Sequence, residues 1–136
     1  MQSIFSFPIS LISLVVSIAT HMIIGMLWYS PFMFGNKWLE LTKIKPRSIK
    51  MHGGHIAGAA VTGATIAIVL GHMLKALGIA TCWGAIEYSL ILWLGFVTTT
   101  LFSGVLWERR PVNLYLIAIA HWAVTMAIIG CIVTKL

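Results

Sequence analysis

The sequence predicts an all-α membrane protein: four transmembrane helices arranged as two hairpins, with a short interfacial helix after the first span. Three observations carry this. First, 60% of the 136 residues are hydrophobic and 9% are charged, whereas soluble domains carry about 25% charged and about 45–50% apolar residues. Second, four apolar stretches reach the roughly 20 residues that a helix needs to cross a hydrocarbon core of about 30 Å: residues 8–28, 55–77, 86–106 and 114–133. Third, the basic residues gather in two short connections, leaving the rest of the chain without a basic face. The whole chain, 1–136, then forms a single transmembrane domain.

The first span carries Ser6, Ser10, Ser13, Ser17, Thr20, His21 and Trp28 at three- and four-residue steps, which places them on one helical face. That face either lines a narrow hydrated path to His21 or lets helices approach closely and hydrogen-bond across the contact. Thr98, Thr99, Thr100 and Ser103 of the third span are possible companions for such a path. No basic segment precedes the first apolar run and no small-residue cleavage site follows it, so the first span is expected to be retained.

Ser30 followed by Pro31 has the form of a helix N-cap with proline at the first helical position. A short helix is therefore expected from Pro31, with Phe32, Phe34, Trp38, Leu39 and Leu41 on an apolar face among Lys37, Glu40 and Lys43. Such a segment suits the membrane interface. Lys45, Pro46 and Arg47 end it, and Ser48 can cap an extension of the next helix.

In the second span Gly54 and Gly58 form GxxxG, and Ala59, Gly63, Ala67 and Gly71 continue a small residue at every fourth position. This stripe predicts close packing, a central place for the helix, and a contact through which copies of the protein can associate. The connections after the second and third spans are short and force antiparallel neighbours.

Orientation follows from the basic residues. Lys37, Lys43, Lys45, Arg47 and Lys50 lie in the first connection, and Arg109 and Arg110 in the third, against Lys75 and Lys135 on the other side. Basic residues stay cytoplasmic, so both termini are expected outside the cytoplasm. Lys43, Lys45, Arg47, Lys50, Arg109 and Arg110 are then candidate contacts for anionic lipid headgroups. The formal charge of +6 is accounted for in this way, and nucleic acid is not an expected partner because no exposed basic face exists. Trp28, Tyr29, Trp38 and Trp107 fall at one interface, and Trp83 and Tyr88 at the other. Trp93 and Trp122 lie deeper and need packing partners or a bond for the indole N–H.

Two pairs of segments look alike: GMLWYSP at 25–31 with GVLWERRP at 104–111, and AVTxA at 60–64 with the same pattern at 123–127. A duplicated hairpin would produce them, as in some transporters, and chance similarity of apolar strings would as well.

The run GxxWYSPxxFGxxW, here Gly25, Trp28, Tyr29, Ser30, Pro31, Phe34, Gly35 and Trp38, is joined by WLGF at 93–96, LWERRP at 106–111 and His121. Together these resemble the signature of the domain-of-unknown-function 1761 family of small bacterial membrane proteins. The resemblance implies a compact four-helix protein of the bacterial inner membrane and supplies no substrate, reaction or catalytic residue.

Ionisable groups inside spans are costly and mark functional candidates. His21 and His121 each lie about two turns from the ends of their helices that face the basic connections, so their depths match. As neighbours they would share a proton, bind a metal or flank a haem; as isolated residues each would only bond a carbonyl or hydroxyl across a helix contact. With Ser17, Thr20 and Trp28 they form the intramembrane candidate site. His52 and His55, three apart, share a helical face at the basic mouth and lack the further ligands a stable metal site needs. His72 and Glu87 approach the opposite interface from consecutive helices and are a candidate ion pair. Cys82 and Cys131 lie on that same side and can pair if their geometry permits.

These residues point first to a small oligomeric channel or transporter for an ion or small solute. The alternatives are a structural or regulatory protein that binds lipids or a partner through its basic segment, and a haem or metal carrier using His21 and His121. Asp is absent, and the carboxylates Glu40, Glu87 and Glu108 all lie near span ends, so an enzyme is the least supported class.

Overall fold

A computed structural model of the chain describes residues 7–136, which leaves Ser6 of the serine face outside the described residues. The elements are α1 (Leu11–Trp28), α2 (Gly35–Thr42), a 3₁₀ turn at Pro46–Ser48, α3 (Gly53–Ala76), α4 (Cys82–Leu92), a π-helical segment (Trp93–Thr98), α5 (Thr99–Trp107) and α6 (Val112–Lys135). No strand occurs among the described residues. α4, the π segment and α5 run on as one helix, so four helices are long and apolar enough to span a membrane: Leu11–Trp28, Gly53–Ala76, Cys82–Trp107 and Val112–Lys135. Each contains the core of an expected span, and the third begins four residues before the expected 86 because Thr81 caps it, its hydroxyl accepting from the Gly84 N–H at 3.1 Å.

α1 packs along α3, and α4 along α6; α6 also touches α1, α3, α5, the π segment and α2. The central helix is thus α6, not the second span as its small-residue stripe suggested. Gly63, Ala67 and Gly71 do face inward, but Gly54 and Gly58 are exposed and meet no neighbour. A small residue permits close approach without requiring it. The core gathers Ile9, Ala67, Leu70, Leu74, Ala85, Met126 and Ile129 around α6.

The register of α1 against α6 is fixed at three heights. Ser10 Oγ donates to the Leu136 carbonyl at 2.9 Å, the rings of His21 and His121 lie 6.2 Å apart, and Trp28 Nε1 donates to the Ile117 carbonyl at 3.1 Å. The helices are therefore antiparallel, with Ser17 near the height of Thr125.

Between α1 and α2 the chain does not begin a helix at Pro31. The Ser30 hydroxyl turns back to the Leu27 carbonyl at 2.6 Å, and the N–H groups of Met33 and Gly35 donate to the Ser30 carbonyl. The result is a tight reversal, and α2 starts only at Gly35. A Cβ at Gly35 would drive into the carbonyls of Tyr29 and Ser30, which explains the glycine. Likewise Ser48 closes the 3₁₀ turn by donating to the Lys45 carbonyl at 2.7 Å and caps no helix.

The apparent repeats differ in their surroundings. Trp28 is half-buried, while Trp107 is 83% exposed. Thr62 donates to the Gly58 carbonyl of its own helix, whereas its counterpart Thr125 is fully buried without a partner.

Candidate functional site

The residues at issue meet where α1, α3 and α6 pack together. Ser13, Ser17 and His21 recur every fourth residue on the inward face of α1, and His121 and Thr125 do the same on α6. Ser13, Ser17 and Thr125 have no exposed surface, and His21 and His121 are 8% and 5% exposed. The close approach depends on Gly63, where a Cβ would lie 3.1 Å from the Cβ of His21.

None of these polar groups is satisfied within the protein. The hydroxyls of Ser13, Ser17 and Thr125, Nδ1 of His21 and Nε2 of His121 are buried and lack a hydrogen-bond partner. Buried polar groups are nearly always bonded, and leaving one unsatisfied costs about 1–3 kcal/mol. Helical hydroxyls ordinarily escape this by donating to the carbonyl four residues back. Thr62, Thr65, Thr98, Thr99 and Thr134 all do so at 2.7–2.8 Å; the three hydroxyls in the column do not. Ser89 is also buried and unpaired, but it faces Gly130 across the α4–α6 contact.

Aromatic rings enclose the histidine pair. Trp122 stacks on His21 at 5.7 Å with 17° between planes and stands edge-on to His121 at 5.1 Å. Trp28 and Tyr29 approach His121 at 6.0 and 5.5 Å. Trp28 also packs on Phe34 at 4.9 Å, and Tyr29 on Trp38 at 5.7 Å. The WYSPxxFGxxW run is thereby a plug of four aromatic rings over the basic end of the column, held by the reversal at Ser30. Tyr29 lies just beyond α1, and burial pushes its phenol up from the ordinary value.

Of the other candidates, Thr20 is half-buried beside the column. The third-span hydroxyls do not join it: Thr98 is buried but bonded to the Leu94 carbonyl, and Thr99, Thr100 and Ser103 are exposed. Trp93 finds its partner in the Ile119 carbonyl at 2.7 Å. His52 and His55 stack at 5.7 Å, and His55 Nδ1 accepts from the His52 N–H at 3.2 Å, so the pair caps α3 at its start. His72 and Glu87 form no ion pair. His72 Nδ1 lies 3.3 Å from the Ile68 carbonyl and Glu87 is exposed, because α3 and α4 touch only slightly. The ion pairs among the described residues are Lys37–Glu40 at 3.1 Å and Arg110–Glu108 at 2.7 Å, so Lys43, Lys45, Arg47, Lys50 and Arg109 are exposed cations without one. Cys82 and Cys131 are joined by a disulfide that ties the start of α4 to the last turns of α6.

Among the described residues no three His, Cys, Asp or Glu side chains stand close enough to share a metal ion; His21 and His121 are two nitrogen donors without a third. Sequence reasoning overlooked Thr125, Trp122 and Tyr29 as members of the site. Thr125 was findable, being one turn from His121 on the same face, whereas the rings depend on how α6 is rotated in the bundle. No curated protein and no solved structure matches the chain. Its sequence matches a family described only as a protein of unknown function over residues 12–134, nearly its full length; the chain belongs to the DUF1761 family.

Proposed function

We propose that this protein is a small membrane channel or transporter in which the α1–α3–α6 column passes an ion or small polar solute. The carrying observation is the set of buried, unpartnered groups on the inward faces of α1 and α6: Ser13, Ser17, His21, His121 and Thr125. Water or a small polar solute would satisfy them in sequence, and imidazoles along such a path exchange protons readily. The aromatic plug at Trp28, Tyr29, Phe34 and Trp38 is suited to gate its basic end.

In this reading the spans form two hairpins in a bacterial inner membrane, α2 lies in the cytoplasmic interface, and both termini are outside. The exposed, unpaired cations of the first and third connections favour that orientation, as does the disulfide at the opposite end, since disulfides persist in oxidising compartments. Association into oligomers would use the exposed small residues of α3.

The test is flux. Protein in proteoliposomes is expected to move protons or a small polar solute, and His21→Ala with His121→Ala to change the rate by tenfold or more, about 1.4 kcal/mol in barrier. Vesicles that stay inert over a broad panel of ions and solutes would sink the proposal.

Lipid or partner binding through Lys43, Lys45, Arg47 and Lys50 is the second reading, favoured by their exposure and lack of acidic partners. It predicts that neutralising them weakens membrane or partner association while the histidine substitutions do little. Haem is less favoured: the rings of Trp28, Tyr29 and Trp122 crowd the pair at 5.1–6.0 Å, and a porphyrin between the imidazoles would have to displace them.

A further inference from the structure

A separate feature also involves Trp28. An open cavity of about 480 Å³ is lined by Trp28, Trp93, Leu116, Ile119, Ala120, Ala123 and Val124. It exists because α1 and the third span both pack on α6 with little or no packing on each other, and because Ala120 and Ala123 leave the α6 surface low between two indoles. Both indole N–H groups are already spent on α6 carbonyls, Ile117 for Trp28 and Ile119 for Trp93. The groove therefore offers an occupant apolar contact alone.

Its height along α6 and the charge at that end of the helix bear on the occupant. Leu116 and Val124 lie about 6 and about 18 Å along α6 from Val112 at 1.5 Å per residue, so the groove runs from the basic end to the middle of the helix. That is the depth of one leaflet, about half of a 30 Å hydrocarbon core. At the same basic end, in the turn that precedes α6, Arg110 is occupied by Glu108, while Arg109, held at φ 55°, is exposed and forms no ion pair.

We infer that this groove is a binding site for a single anionic phospholipid of the surrounding leaflet, with one acyl chain between Trp28 and Trp93 and the phosphate at Arg109. A chain seated there touches Trp28, whose ring centroid lies 6.0 Å from that of His121, which places the lipid next to the plug of the column. The inference does not depend on flux through the column.

Native mass spectrometry of the full chain, released from mild detergent containing equal phosphatidylglycerol and phosphatidylcholine of the same chain lengths, tests it. One phosphatidylglycerol per chain is expected to survive, and Ala123→Phe, which fills the groove, to lose it. Arg109→Gln should lower its retention about fivefold, the worth of one basic residue at a lipid surface, while leaving phosphatidylcholine unchanged. Val124→Phe on the exposed rim blocks the same space and takes the place of Ala123→Phe if that chain does not fold. Equal retention of the two lipids, or retention unaffected by the groove-filling variants, overturns the inference.

Discussion

At the scale of single residues, the site is a matter of what small and aromatic side chains permit. Gly63 lets α1 bring His21 against α3, and Gly63→Val should lose about 1–3 kcal/mol by overpacking, read as an earlier thermal midpoint in detergent. Tyr29 gives a pH dependence. Burial favours its neutral phenol, so its folded value lies above the ordinary 10.0; that stability is complete below pH 10 and is lost as pH rises through the folded value. Tyr29→Phe should flatten the alkaline limb of a midpoint-against-pH curve, and an unchanged limb would show that the ring is not buried as described. His21 and His121 were legible as a pair because rise per residue fixes depth. The aromatic rings around them were not, since depth says nothing about helix rotation. The proposed His72–Glu87 pair failed for the same reason: equal depth on consecutive helices does not bring side chains together when the helices barely touch.

Among the elements, the spans could be read from apolar length, and their ends shifted only where a local bond decided the matter, as at Thr81 and Ser30. The π-helical segment could not, because no composition marks an inserted residue. Its wider turn is accommodated by side chains: Thr98 and Thr99 donate to the Leu94 and Gly95 carbonyls, and the Thr98 carbonyl accepts from Tyr115 at 3.2 Å. π-bulges often occur at functional sites, and this one carries Trp93 at the apolar groove on α6. The α4–α6 contact is further held by the disulfide, which closes a separation of 49 residues. Replacing both cysteines by serine should lower stability by about 2–4 kcal/mol. Mass measurement after alkylation, with and without prior reduction, should find thiols only in the reduced sample; alkylation without reduction would contradict the bond.

For the whole molecule, the sequence carried the four spans and the family, while the centre of the bundle went to α6 instead of the glycine-rich α3. Glycine stripes report where helices can approach, and α6 takes the centre because its bulkier Met126 and Ile129 pack into the core with Ala67 and Ala85. What distinguishes this bundle from a merely well-packed one is the column of unpartnered polar groups, and the account predicts that it is wet. The described residues contain no free cysteine, so an introduced one reports by itself. Ser17→Cys and, as a control on the outer surface of the bundle, Val15→Cys, at a position 56% exposed, can be treated with a small water-soluble thiosulfonate in intact proteoliposomes. Thiolate, the reacting form, requires water. Ready modification of the cysteine at 17 with the one at 15 inert is the predicted result; equal inertness at both positions would mean that the column is dry and that nothing polar passes through it.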